Sequence, residues 1–215
     1  LRCNAERGAQ KRLLWQTVEE LLDWFHKDLG RSDEILQAQA PVAIARVLGR
    51  GSSDLHQKCK QQFAALLVAK DKRSNPILQS AALALGNLVL AREVLPDDAP
   101  FADALQQHYA RGHDRQARYY ALIALGRIGG AANRQFLLAA YERSTKGTER
   151  PWVALALGLL ASASAARGEV DVEVARLLLD DLQAIQSNDV QGALAVALGL
   201  TGHVAAAPVV MRMLR

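Results

Sequence analysis

Aromatic side chains make up only 5% of this 215-residue chain, proline occurs six times and cysteine twice. Runs of β-branched residues are nearly absent, so strands lack the side chains that fit a pleated surface, and Leu and Ala dominate instead. The two cysteines, Cys3 and Cys59, are too few and too far apart for a disulfide framework or a metal-type pair. The longest apolar stretch, 151–166, is shorter than the ~20 residues a membrane helix needs and carries Ser162 and Ser164. No G-x-S-x-G, G-x-x-x-x-G-K-[ST] or H-E-x-x-H string occurs. His26, His56, His108, His113 and His203 are never three or four apart, so no helix offers a ready two-histidine metal face. Adjacent carboxylates such as Asp97–Asp98 and Asp180–Asp181 diverge on a helix rather than converge for acid–base work. Catalysis, metal and cofactor are therefore not expected.

Half of the residues are apolar and 22% are charged, which is enough for a packed core and too apolar for a disordered tail. The net charge of +4 is spread unevenly, with 13 Lys/Arg against 9 Asp/Glu in residues 1–73 and 4 against 6 in residues 151–215. A nucleic-acid binder concentrates more positive charge than this on one face, so nucleic acid is not an expected partner. The chain opens on Leu1 with no charged-then-apolar leader, as a processed or excised fragment would, and its compartment stays open.

What the chain does have is a repeat. AIARVLGRG at 43–51 returns as AALALGNLV at 81–89, ALIALGRIGG at 121–130, VALALGLLA at 153–161 and LAVALGLTG at 194–202. Each copy reads as the end of an Ala-rich helix anchored by a Leu-Gly step at Gly49, Gly86, Gly126, Gly158 or Gly199. Between the copies, apolar residues three and four apart predict amphipathic helices over about 9–28, 54–70, 99–110, 131–142 and 170–184, and another from His203. Polar turns separate them, among them Arg31-Ser32-Asp33, Lys70-Asp71-Lys72-Arg73 and Ser187-Asn188-Asp189. Gly49-Arg50-Gly51-Ser52-Ser53 follows a helix rather than a strand and reads as a turn, not a nucleotide loop. The hairpins fall at about 9–51, 52–90, 91–130, 131–162 and 163–202, with a partial one at 203–215.

Gln116-Ala117-Arg118 followed by Ala121 and Ala124-Leu125-Gly126-Arg127-Ile128-Gly129, and Asp189-Val190-Gln191 followed by Ala197-Leu198-Gly199, resemble HEAT and HEAT-like (phycobilin-lyase-type) repeats. The resemblance implies an all-α fold, a right-handed α-α superhelix (solenoid) of about five and a half hairpins whose second helices line a concave face. It places Arg118 and Arg150 at the family's basic position, where Pro41, Leu78 and Gln191 depart from it. The last helix lacks a mate, which leaves a continuation of the chain or a partner, a second copy included, to cover it.

On that placement, a turn of about 100° per residue sends positions nine, five, two and one before each glycine inward, and those three, six and seven before toward the groove. The groove set includes Arg46, Gln79, Leu83, Tyr119, Tyr120, Ile123, Trp152 and Leu155, with Arg118 alongside. Either these form an apolar strip that grips a partner helix or peptide, with Tyr119, Tyr120 and Trp152 as anchors, or neighbouring hairpins bury them and leave only Arg46, Gln79, Arg118 and Tyr119 wet. Around 111–120, three arginines beside two tyrosines read either as an anion clamp or as a turn capped by Asp114. Lys58 and Lys60 favour a thiolate at Cys59, which with no base beside it reads as incidental. The expected function is a non-catalytic scaffold binding a protein or peptide partner. The alternatives, by resemblance, are a HEAT-like DNA glycosylase cradle for nucleic acid and a bilin-lyase-like site for a tetrapyrrole.

Overall fold

The computed structural model describes residues 2–27, 29–30, 33–69, 74–144 and 147–213, the first ten and the last of these by their backbone alone. The turn segments Arg31-Ser32 and Lys70-Asp71-Lys72-Arg73, and the side chain of Cys3, lie outside the described residues. The described residues are helical with no strand. The helices are α1 (Arg2–Phe25), α2 (Glu34–Gln37), α3 (Ala40–Leu48), α4 (Asp54–Val68), α5 (Asn75–Leu88) and α6 (Ala99–Arg111). They continue with α7 (Arg115–Ile128), α8 (Ala131–Arg143), α9 (Arg150–Ala165), α10 (Val172–Ala184), α11 (Asn188–Thr201) and α12 (Ala207–Met213). The scarce prolines are used as helix openers: Pro41, Pro76, Pro100, Pro151 and Pro208 each stand second in a helix, and Pro96 starts a 3-10 turn. There the missing N–H removes no intrahelical bond.

The chain divides into two compact units, one of residues 1–90 and 97–121, the other of 91–96 and 122–215, with the division falling inside α7. In the first unit α3 packs on α1 and α5, and α4 packs on α5 and α6. Each Ala-rich helix thus meets its own amphipathic partner and another Ala-rich helix. Phe25 meets Phe63 edge to face at 6.3 Å in the centre of this unit, both rings buried. In the second unit α9 packs on α8 and, extensively, on α11, which in turn packs on α10. The same rule operates in both units.

The Leu-Gly step does not simply mark helix ends. Gly49 does, closing α3 with a φ of +68°, a conformation that favours glycine. Gly86, Gly126 and Gly199 sit two residues before their helices stop, while α9 runs seven residues past Gly158. The reason is contact. A Cβ on Gly158 would lie 2.7 Å from the Cα of Ala197 in α11, and one on Gly126 would fall on the carbonyl of Ala156 in α9. These glycines are the bare patches that let one helix backbone rest on the next. Gly199 faces open space. Gly126→Ala and Gly158→Ala are each expected to destabilise by about 1–3 kcal/mol through overpacking against backbone. Gly199→Ala is expected to stabilise by up to about 1 kcal/mol, since alanine is the better helix former. Urea denaturation of the three variants reads the opposite signs directly.

Candidate interaction surface

The predicted register accounts for the burial of α5, α7 and α11, whereas in α3 Ala40 and Ile44 are buried and Val47 and Leu48 only half-buried. In α7, Ala117, Ala121, Ala124 and Leu125 are buried, and so are Ile77, Ala81, Ala84 and Leu85 in α5 and Val190, Leu194, Ala197 and Leu198 in α11. Three residues before each glycine the side chain comes back to the surface. Arg46 and Val196 are exposed there, and Leu83, Ile123 and Leu155 are half-buried. Six and seven before, Gln79, Tyr120 and Trp152 are half-buried, whereas Tyr119 is only 8% exposed. The outcome lies between the two sequence readings: the line is partly covered along its length and dry at Tyr119. Arg46, Gln79, Leu83, Arg118, Tyr119 and Tyr120 belong to the first unit and Ile123, Trp152 and Leu155 to the second.

Several polar members of this set are engaged within the fold. The Arg118 side chain donates from Nε to the carbonyl of Tyr109 at 2.6 Å and lies 5.6 Å from the centre of that ring. Tyr109 is in the last turn of α6, where carbonyls have no intrahelical donor. Arg150 repeats the arrangement on α8. Its guanidinium sits 4.3 Å from the centre of the Tyr141 ring and donates to the Ser144 carbonyl at 2.7 Å and to Asp181 at 2.6 Å. The Tyr141 hydroxyl also donates to Asp181, and burial together with that carboxylate pushes the phenol well above its ordinary pKa. At the corresponding place before Gly199, Gln191 donates to the Ile185 carbonyl at 2.6 Å. Gln191 thus keeps the task of closing the preceding helix without a charge. In the first hairpin Gln37 does this work, donating to the Phe25 and Lys27 carbonyls at 3.2 and 2.6 Å. Its signal is faint in the sequence, because it precedes the repeat string.

Asp114 accepts from the backbone N–H of Ala117 at 2.7 Å and from Gln79 Nε2 at 2.9 Å. It is therefore a cap on α7 and ties α5 to the start of that helix. Arg111, His113 and Arg115 around it are exposed. Gln116 donates to the Tyr120 hydroxyl at 2.8 Å. Cys59 is fully buried, and desolvation pushes its thiol up to about 11 against the pull of Lys58. A buried neutral thiol is inert. Lys60 is turned away from it, toward Asp98. Among the described residues no group of three or more His, Cys, Asp or Glu could hold a metal ion, and no helix is long and apolar enough to cross a membrane.

One further ion cluster fastens α8 to the start of α10. Arg134 donates from Nε and Nη2 to Asp171 at 2.7 and 2.9 Å and from Nη2 to Glu173 at 2.6 Å, while Asp171 caps Val174. The Arg134 hydrogen bonds hold the Asp171 carboxyl below its ordinary range. A depressed carboxylate contributes stability that is full above the unfolded pKa of ~4 and is lost as pH falls through the lower folded value. Asp171→Asn keeps the cap and removes the charge. The stability gap between wild type and this variant is expected to be full at neutral pH and to close progressively below about pH 4, as read by urea denaturation across pH.

Compared with known proteins, the chain matches no protein-family model, no curated protein and no solved structure.

Proposed function

We propose that this chain is a non-catalytic scaffold of HEAT-like hairpins, stacked as a right-handed solenoid, that binds a protein or peptide partner along its Ala-rich helices. The observation that carries the reading is the recurrence, three and six residues before the Leu-Gly step, of apolar or aromatic side chains left part-exposed on helices whose other faces are buried. In the second unit these are Trp152 and Leu155 on α9 and Val196 on α11, and in the first, Leu83 on α5 and Tyr120 on α7. Large side chains anchored in a close-packed frame lose little freedom on association, which favours binding. Gln79 and Arg118, held by Asp114 and Tyr109, act as frame rather than as mobile selectors; Arg46 is the exposed cation of the set.

A photo-crosslinking residue placed at Leu83 or Leu155 tests this against the same residue at Lys58 or Arg176, exposed on α4 and α10. The expected result is one crosslinked polypeptide from the first pair of positions and none from the second. Equal crosslinking from both pairs, or none from either, contradicts the proposal.

A further inference from the structure

The Ala-rich helices of the second unit are laid on one another by one rule. Each offers its repeat glycine to the helix that follows, and the alanine two residues earlier to the helix that precedes. Ala156 of α9 rests in this way on Gly126 of α7, and Ala197 of α11 on Gly158 of α9, where its Cα lies 2.7 Å from the place of a Cβ. Two residues along a helix turn the chain by about 200°, so the alanine and the glycine serve opposite faces. On α11 the glycine face is open. Gly126 and Gly158 are buried and Gly199 is exposed, and a Cβ there or on Gly192 would meet nothing within 4 Å among the described residues. Between these two glycines Val196 is 57% exposed. Asp189, Gly192, Val196 and Gly199 fall within about 80° around the helix axis, opposite Val190, Leu194 and Leu198, which are buried. Asp189, in the first turn, is the only charged residue of α11, so the centre of this face is apolar and uncharged.

What covers the same face on α7 and α9 is a helix that brings a small-residue face of its own. Among the described residues α11 is the one Ala-rich helix whose repeat glycine is exposed, so the surface of a second copy that matches it is the same surface. We propose that two copies of this chain pair α11 against α11, antiparallel about a two-fold axis, with the two Val196 side chains meeting on the axis. Gly192 and Gly199 on either side let the backbones approach, as Gly126 and Gly158 do within the chain. Antiparallel pairing also sets the helix dipoles head to tail. Asp189 and His203 stand seven residues either side of Val196, so the carboxylate of each copy comes opposite the imidazole of the other. The self-pairing thus has an apolar centre and complementary polar ends. This face shares Val196 with the partner-binding line and stands without that reading, since it rests on the helix-on-glycine contacts.

Sedimentation velocity of the full chain over a range of about 1 to 300 μM tests the pairing. One helix from each copy makes a small interface, so a monomer–dimer equilibrium with a Kd of about 1–100 μM is expected. Val196→Glu sets two carboxylates against each other on the axis and should raise that Kd at least about tenfold, with the helical signal retained. In a Cys3→Ser background, Val196→Cys treated with diamide should yield a disulfide-linked dimer, and Arg176→Cys, exposed on α10, should not. A monomer at every concentration, a Kd unmoved by Val196→Glu, or equal linkage at the two cysteine positions would overturn the proposal. None of these results bears on crosslinking at Leu83 or Leu155, so this proposal and the partner reading fail separately.

Discussion

Replacing Lys60 by methionine is expected to destabilise the protein by about 3–5 kcal/mol, far more than the loss of an exposed ion pair. Both Lys60 and Asp98 are fully buried. The ammonium donates to the two Asp98 oxygens at 2.7 and 2.6 Å and to the Gly51 carbonyl at 2.8 Å, which accounts for all three of its protons. Asp98 also accepts from the Leu90 backbone N–H at 2.8 Å and from Gln57 at 3.3 Å. One buried cluster therefore joins α4, the turn before it and the connection between α5 and α6. Methionine keeps the volume of the lysine stem but leaves a carboxylate in a dry site without its cation. A second change, Asp98→Asn, removes that charge while preserving an acceptor for Leu90. The double variant should be less destabilised than the two single effects added together. Urea denaturation followed by fluorescence, with Trp15 and Trp24 in the same unit, measures all three. Because the pair is shielded from solvent, raising salt should change little. A loss below about 1 kcal/mol for Lys60→Met would mean that the pair behaves as if it were wet.

The sequence makes the helices and their burial pattern legible because both follow from short-range periodicity. The four middle amphipathic segments fall within two residues of where the apolar spacing puts them. The first helix starts earlier than its stripe suggests and ends at Phe25 rather than near residue 28, and the last begins at Ala207, after a 3-10 turn over Val204–Ala206, rather than at His203. The four-residue α2 is too short to carry a periodic signal. The repeat string locates the glycines, but it does not say why each is there. Gly158 and Gly199 stand in near-identical contexts, and only the presence of Ala197 beside the first separates a close backbone approach from open space.

Polar pairings leave little trace in short-range periodicity, since they depend on which helices meet. Asp97–Asp98 and Asp180–Asp181 do diverge, as adjacency on a helix requires. In each pair the first residue is exposed, and the second is drawn inward by a distant cation, Lys60 or Arg150. Lys60 alone offered a clue, standing three and seven residues before Phe63 and Leu67 on a buried face. Tyr119 shows the opposite limit. A wheel places it beside Tyr120 at the groove, and the close packing of its surroundings buries it while its neighbour stays half-exposed.

Trp152 is the largest side chain on the proposed partner-binding line, half-buried in the first turn of α9. A half-buried tryptophan on a packed helix offers apolar area at small entropic cost, the profile of an interface anchor. Trp152→Ala is therefore expected to weaken the partner recovered by crosslinking by about 2–4 kcal/mol, roughly thirtyfold to a thousandfold in Kd. Leu155→Arg, a half-exposed position one turn further along α9, provides a second variant that opposes an apolar contact without emptying the site beneath Trp152.

The most direct measurement is the Kd of that partner for the folded fraction of wild type, Trp152→Ala and Leu155→Arg, titrated side by side with the helical signal monitored. The account predicts a large loss of affinity in both variants with helicity retained. Unchanged Kd values, or a loss confined to the amount of folded protein, would place these side chains in the core and contradict it.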